Sequence, residues 1–169
     1  ILKRMGDILA ANGPDGGGIL RRENAGFGHR LMCFTPEDRF ERQPLQAEDG
    51  RFVLVSDARI DNRVELADEL GIPAVDAPET PDSRFILRAF EKWGEDCVNR
   101  LRGVFAFALW DAQEKRLFIA RSAIAAPPVL YYHAPPVFAF APMARGLHAL
   151  PFVSRLLNEE KLADFLTDS

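Results

Sequence analysis

The chain is predicted to fold as a layered α+β domain of mainly antiparallel sheets. Three observations predict it. Apolar strand-like runs come in hairpin pairs, such as Gly103–Asp111 with Arg116–Arg121. Helical patterns stand between the strands and at the chain's ends rather than alternating with them one for one. Several strands are apolar on both faces, so each sheet needs a cover on either side. The size fits: 169 residues, 47% apolar and 27% charged, make one globular domain able to bury a core.

Ile1, Met5, Ile8 and Leu9 recur at helical spacing. Asn12-Gly13-Pro14-Asp15-Gly16-Gly17-Gly18 then stops that helix in a turn or an unusual backbone path. This glycine stretch lacks the Gly-Lys-Ser/Thr ending of a phosphate-cradling loop. Ile19-Leu20 and Gly26–Phe34 read as two strands joined by the Arg21–Ala25 turn. Thr35 to Arg42 reads as a charged loop, and Phe52–Ser56 as a strand covered on both faces.

Asp61 or Asn62 is placed to cap a helix over Val64–Leu70, which Gly71 closes. Pro73 to Pro81 is a connector. The clearest helix starts at Asp82 or Ser83, carries Phe85, Ile86, Ala89, Phe90 and Trp93 on one face and ends at Gly94. A short helix follows around Cys97–Leu101. Gly103–Asp111 and Arg116–Arg121 form the strongest hairpin, turning through Asp111–Lys115. Leu130–Tyr132 and Val137–Phe140 form another, and Leu147–Leu150 and Asn158–Leu166 are short helical patterns. The Phe105, Phe107, Trp110 and Phe138, Phe140 stripes are expected in the core.

Composition excludes several classes. A net charge of −4 and a pI near 5.4 leave no basic footprint for nucleic acid. No apolar run reaches the roughly 18–20 residues of a bilayer span, and no signal peptide opens the chain. With two cysteines, a disulfide scaffold is excluded and a cytoplasmic setting is expected. Cys33 and Cys97 sit in apolar company and read as buried and inert. His29 follows Gly28 in a strand and reads as a structural histidine, and His133 and His148 have no paired ligand at metal spacing. Asp57, Asp61, Asp82 and Asp111 read as cap or turn residues at element boundaries, and Arg121 as a surface arginine.

The order of motifs carries a resemblance. Gly13-Pro14-Asp15-Gly16, Gly28-His29-Arg30, Gln43-Pro44-Leu45 and Trp93-Gly94-Glu95-Asp96-Cys97 lead to the specific block Gly103-Val104-Phe105-Ala106-Phe107-Ala108-Leu109-Trp110-Asp111. Arg121, Pro128 and Tyr131-Tyr132 continue it. The chain resembles the class II glutamine amidotransferase domain of asparagine synthetases over nearly its whole length. The resemblance implies a four-layer αββα sandwich of the N-terminal-nucleophile hydrolase type. In that family an N-terminal cysteine attacks the glutamine side-chain amide, with its own α-amino group as base. The ammonia passes to a synthetase domain, where ATP and magnesium activate an acceptor carboxylate.

The resemblance also implies where the glutamine pocket stands, and this chain departs from it there. No cysteine opens the chain, so no catalytic residue is assigned, and the family's first strand is expected to lie upstream of Ile1. The glutamine-binding arginine falls on Leu31; Arg30 is one place early, which on a strand is the opposite face. The Asn-Gly of the oxyanion hole falls on Asp57-Ala58, and an ionised carboxylate only accepts hydrogen bonds. Losing one oxyanion donor costs about 10²–10³ in rate. The aspartate for the substrate amino group has a counterpart in Asp82, but the acidic residue two places on is Arg84. The Arg-Asp…Gly pattern after the hairpin is Arg121-Ser122…Ala125. His29, Arg30 and Arg84 are pocket neighbours on this reading, and no metal or cofactor is expected in the domain.

The resemblance thus implies a degenerate, non-hydrolytic domain, residues 1–155, of an ATP-dependent amide-forming ligase such as a lasso-peptide cyclase. Residues 156–169 would begin the connection to a synthetase domain, which together with a precursor peptide and a second copy completes the expected partners. Two alternatives stand beside it: a working glutaminase half of an asparagine synthetase, and a stand-alone binding or structural protein of this fold.

Overall fold

The computed structural model describes residues 1–124 and 127–167. Its centre is an antiparallel sheet of four strands in the order β3 (Leu45–Gln46), β4 (Phe52–Ile60), β5 (Gly103–Asp111), β6 (Arg116–Arg121). One face of this sheet carries Leu54, Ile60, Phe105, Phe107 and Leu109. They pack against helices α2 (Arg63–Leu70) and α3 (Asp82–Trp93) in the main core, which includes fully buried Phe85, Ile86 and Ala89. Period-2 alternation along β4 and β5 sends Val53, Val55 and Ala108 to the other face.

That second face is covered by two antiparallel hairpins, β1 (Gly16–Arg22) with β2 (Ala25–Leu31) and β7 (Leu130–Ala134) with β8 (Val137–Ala141). Phe27 of β2 and Phe140 of β8 meet Val53, Val55 and Ala108 between the layers. Helices α1 (Leu2–Leu9) and α4 (Ala144–Leu147) lie outside the hairpins, where Met5 packs with Ala141, Leu147 and Leu150. The result is the layered α+β sandwich expected: helices, four-stranded sheet, hairpins, helices. Helix α5 (Glu159–Thr167) follows and buries none of its residues.

Several local expectations need correction. Gly16, Gly17 and Gly18 belong to β1 rather than to a loop. A Cβ at Gly17 would lie 2.5 Å from the His29 carbonyl oxygen, and one at Gly18 2.5 Å from that of Gln43. The glycines are there because chains cross closely on both sides of β1. Thr35–Arg42 is not a plain loop: Thr35 and Asp38 form a capping box on a 3-10 turn over Pro36–Phe40. Asn62 precedes α2 without capping it. Its side chain instead reaches across to donate to the Arg100 carbonyl and accept from the Arg102 N–H, both at 2.9 Å.

Asp57 does not mark a boundary, because β4 runs on to Ile60. Cys97 is buried as expected, but Cys33 is exposed. Phe138 is not core: it is 46% exposed, with its ring stacked on Tyr131. The last helical turns begin earlier than expected, at Ala144 rather than Leu147. Among the described residues no helix is long and apolar enough to cross a membrane.

Candidate functional site

Of the expected pocket positions and their neighbours, His29, Leu31 and Asp57 fall at the inner face between β2 and β4, and Ala58 and Asp82 do not. On β2, Phe27 points into the layer between sheet and hairpin, and strand alternation puts His29 and Leu31 on the same side. Gly28 and Arg30 face the other way. Arg30 demonstrates this directly: its Nε donates to the Gly6 carbonyl at 2.9 Å and its Nη2 reaches Asp7 at 3.3 Å, both on α1. The arginine that stands one place early therefore braces the outer helix. The inward position holds the uncharged Leu31.

On β4, Asp57 follows Val53 and Val55 on the same inward face. His29 and Asp57 influence each other. Burial lowers the His29 imidazole below its ordinary value, with the Asp57 charge and the Ser56 backbone pulling upward. Burial pushes the Asp57 carboxyl up, with His29 drawing it down. Asp57 keeps a solvent-facing edge although the surrounding atoms strip much of its hydration. Ala58 turns to the opposite side and packs against the helical core.

The backbone just before Asp57 is clamped from the side. Gln43 Oε1 accepts the Ser56 N–H at 2.6 Å, and its Nε2 donates to the Ser56 carbonyl and hydroxyl, each at 3.1 Å. Strand β3 is only two residues long, so the Gln43 side-chain amide extends the ladder where backbone pairing stops. The sequence signal was the Gln-Pro pair, which locates this residue but does not reveal that its amide acts as a strand.

Asp82 is not brought to His29 and Asp57. It sits in the first turn of α3, where its Oδ2 accepts the Ile60 N–H at 2.9 Å and its Oδ1 meets the Arg63 guanidinium. Burial pushes its carboxyl up, and the Ile60 amide and Arg63 hold it down. Arg63 also donates to the Ala77 and Thr80 carbonyls at 2.9 and 2.7 Å and lies 4.8 Å over the Phe85 ring. Asp82 thus ties the end of β4, the start of α2 and the Pro73–Pro81 connector together. Arg63 escaped the sequence reading because nothing in its spacing distinguishes it from a surface arginine. Arg84 is exposed on α3. Ser122 accepts the Phe105 N–H on its hydroxyl at 3.2 Å and donates to the Ile124 carbonyl at 3.3 Å. Ala125 lies outside the described residues.

Neither cysteine offers a thiolate. Burial pushes the Cys97 thiol up to about 12. Desolvation and the Asp15 and Asp38 carboxylates also raise that of Cys33. Among the described residues no group of three or more His, Cys, Asp or Glu side chains is placed to hold a metal ion. Two open hollows, of about 430 and 490 Å³, lie at the two ends of the central sheet, and neither is lined by His29, Leu31, Asp57 or Asp82.

A four-layer antiparallel sandwich with Gly-His, Gln-Pro and the Gly103–Asp111 block in these positions defines a protein of the amidotransferase type. The family model for the glutamine amidotransferase domain matches residues 1–169, and the chain belongs to that family. Asparagine synthetase (glutamine-hydrolysing) 3 of Bacillus subtilis is 27% identical over 96% of this chain, which matches 27% of its own length. Asparagine synthetase 1 of the same organism is 28% identical over 78% of the chain and 21% of its own length. Asparagine synthetase 2 of rice is 30% identical over 72% and 20%. The chain spans about a quarter of the length of these curated relatives.

Proposed function

We propose that this domain is a glutaminase-like unit that no longer hydrolyses glutamine, carried by an ATP-dependent, amide-forming ligase of asparagine-synthetase type. The observation that carries the reading is Asp57, on the inward face of β4 beside His29. A carboxylate there accepts hydrogen bonds and offers no N–H to a developing oxyanion. Two further observations support it. The position facing the same layer on β2 is the uncharged Leu31, and Arg30 is spent on α1. Asp82 is engaged by the Ile60 amide and Arg63, which leaves less of it for a substrate ammonium.

In such a ligase the acceptor carboxylate is activated by ATP with magnesium in a separate synthetase domain, and an amine already on the substrate closes the amide. Lasso-peptide cyclisation is the particular reaction proposed, with a precursor peptide as substrate, the synthetase domain as this domain's partner and the cytoplasm as its setting. The second reading, a working glutaminase, is favoured by the relatives' names, which describe glutamine hydrolysis.

Glutamate release by the full-length protein, given glutamine, ATP and magnesium, separates the two. The proposal expects a rate about 10²–10³ below that of a glutamine-hydrolysing relative assayed alongside. Release at the relative's rate would sink it.

A further inference from the structure

At the end of the central sheet where β5 turns into β6, a hollow of about 490 Å³ opens between that turn and the end of α3. Its size is that of a small-molecule site. Its floor is apolar: Phe52, Phe90, Leu109 and Phe118. Strand register explains why these residues share one space. Phe52 stands opposite Asp111 and Asp111 opposite Arg116; two residues along, Leu54, Leu109 and Phe118 form the next row on the same face. That face meets α3, whose Phe90 ring lies 5.4 Å edge-on to Phe52 and 5.6 Å from Phe118. Phe90 and Leu109 are buried, and Phe52 and Phe118 pack against the same core, so the floor is held in place.

The rim is charged and carries more carboxylates than cations. Its two guanidiniums are already paired, Arg51 with Asp111 and Arg116 with Glu95. Glu91 and Glu114 remain. Glu114 has no ion pair among the described residues. Glu91 reaches only Arg88, at 3.7 Å, and Arg88 is shared with Glu48. The excess negative charge is felt locally. Hydrogen bonding to Asp111 raises the Arg51 guanidinium above its ordinary value, and the charges of Asp111, Glu114 and Asp49 add to the rise. Burial holds the Glu91 carboxyl up, and Asp49 and Glu48 push the same way against Arg88 and Arg84. The hollow also sits at the carbonyl end of α3, since Gly94 lines it, and that end favours positive charge. A cation already rests on one floor ring: the Arg51 guanidinium lies 4.8 Å over Phe52.

We infer that this hollow binds an organic monocation with an aromatic tail, its ammonium at the Glu91 and Glu114 side of the rim and its ring on Phe90, Leu109 and Phe118. An anion would meet carboxylates that have no cation to spare. An inorganic cation would gain nothing from the apolar floor. The floor selects an arylalkyl ammonium over methylammonium, each buried methylene adding about fourfold in affinity. The inference does not depend on the proposed function, since His29, Leu31, Asp57 and Asp82 do not line this hollow.

Amide-resolved NMR titration of the labelled full-length protein with 2-phenylethylammonium tests it, with 2-phenylethanol, 3-phenylpropanoate and methylammonium as parallel titrants. The expected result is saturable shifts centred on Phe90, Gly94, Leu109 and Phe118, with the alcohol about threefold weaker and the carboxylate at least about tenfold weaker. Glu91→Gln with Glu114→Gln, two exposed changes, should weaken the ammonium about tenfold and leave the alcohol unaffected. Arg116→Gln, which frees Glu95, should instead tighten the ammonium about threefold. Equal binding of ammonium and carboxylate, an unchanged affinity in the double variant, weaker binding in Arg116→Gln, shifts centred on His29 and Asp57, or no saturable shift at tens of millimolar ammonium would each overturn it.

Discussion

At the residue scale, His29 and Asp57 oppose each other across one layer, and their titrations act in opposite directions. Burial depresses His29 below 6.5. Between that value and its folded one the unfolded chain binds a proton that the native state does not. Stability therefore falls as pH drops below 6.5. His29→Asn should flatten that decline in thermal melts taken from pH 7 to pH 5. Asp57 is raised above 3.8, so the native state holds the extra proton, and the stability this contributes is lost as pH rises through the raised value. Asp57→Asn is accordingly expected to gain about 1–2 °C in Tm at pH 7, the scale of a partly exposed site. A lower Tm would show that the His29–Asp57 attraction outweighs the desolvation of the carboxyl.

Asp111 works the other way. Two hydrogen bonds from Arg51 hold its carboxyl below 3.8, while its Oδ1 accepts the Gln113 and Glu114 amides at the hairpin turn. Its contribution is present above pH 3.8 and is lost as pH falls through the lowered value. Asp111 was legible in the sequence as a turn residue, because turn chemistry is local. Arg51 was not, because it meets Asp111 across strands sixty positions away in sequence.

At the scale of elements, strand positions were legible wherever hydrophobic periodicity spoke, as in β5 and β6. They were illegible where glycine leaves no side chain to read, as in β1. Gly103 tests how close the approach is: Gly103→Ala combines a left-handed φ with a collision against the Arg59 carbonyl. It should cost more than about 3 kcal/mol, measured by urea denaturation. Gln43 tests the side-chain extension of β3. Gln43→Ala leaves the Ser56 N–H without its acceptor and should cost about 1–3 kcal/mol in the same measurement, with hydrogen exchange at Ser56 accelerating. If exchange at Ser56 is unchanged, the amide clamp is not what holds β4 there. Asn62 shows the complementary error. Its type and place suit a cap, yet a carbonyl and an amide from the chain before β5 offered it better partners.

At the scale of the whole molecule, the core lies between the central sheet and α2–α3, and α5 takes no part in it. Removing residues 156–169 should leave Tm within about 1 °C; a larger fall would mean that the helix shields the hairpin layer. Apolar periodicity and paired strand runs were enough to determine the layered antiparallel fold, because they are patterns of neighbouring residues; the amidotransferase family followed from the resemblance of the motif order, above all the Gly103–Asp111 block, to that family. The chain's own order also put Leu31 and not Arg30 on the inward face, since alternation along a strand is strict. Only the tertiary structure decided that Asp82 is committed to Ile60 and Arg63, that Gln43 serves as a strand and that Cys33 lies open. Each depends on which residues distant in sequence converge, and no local pattern encodes the partner that a side chain meets once the layers close.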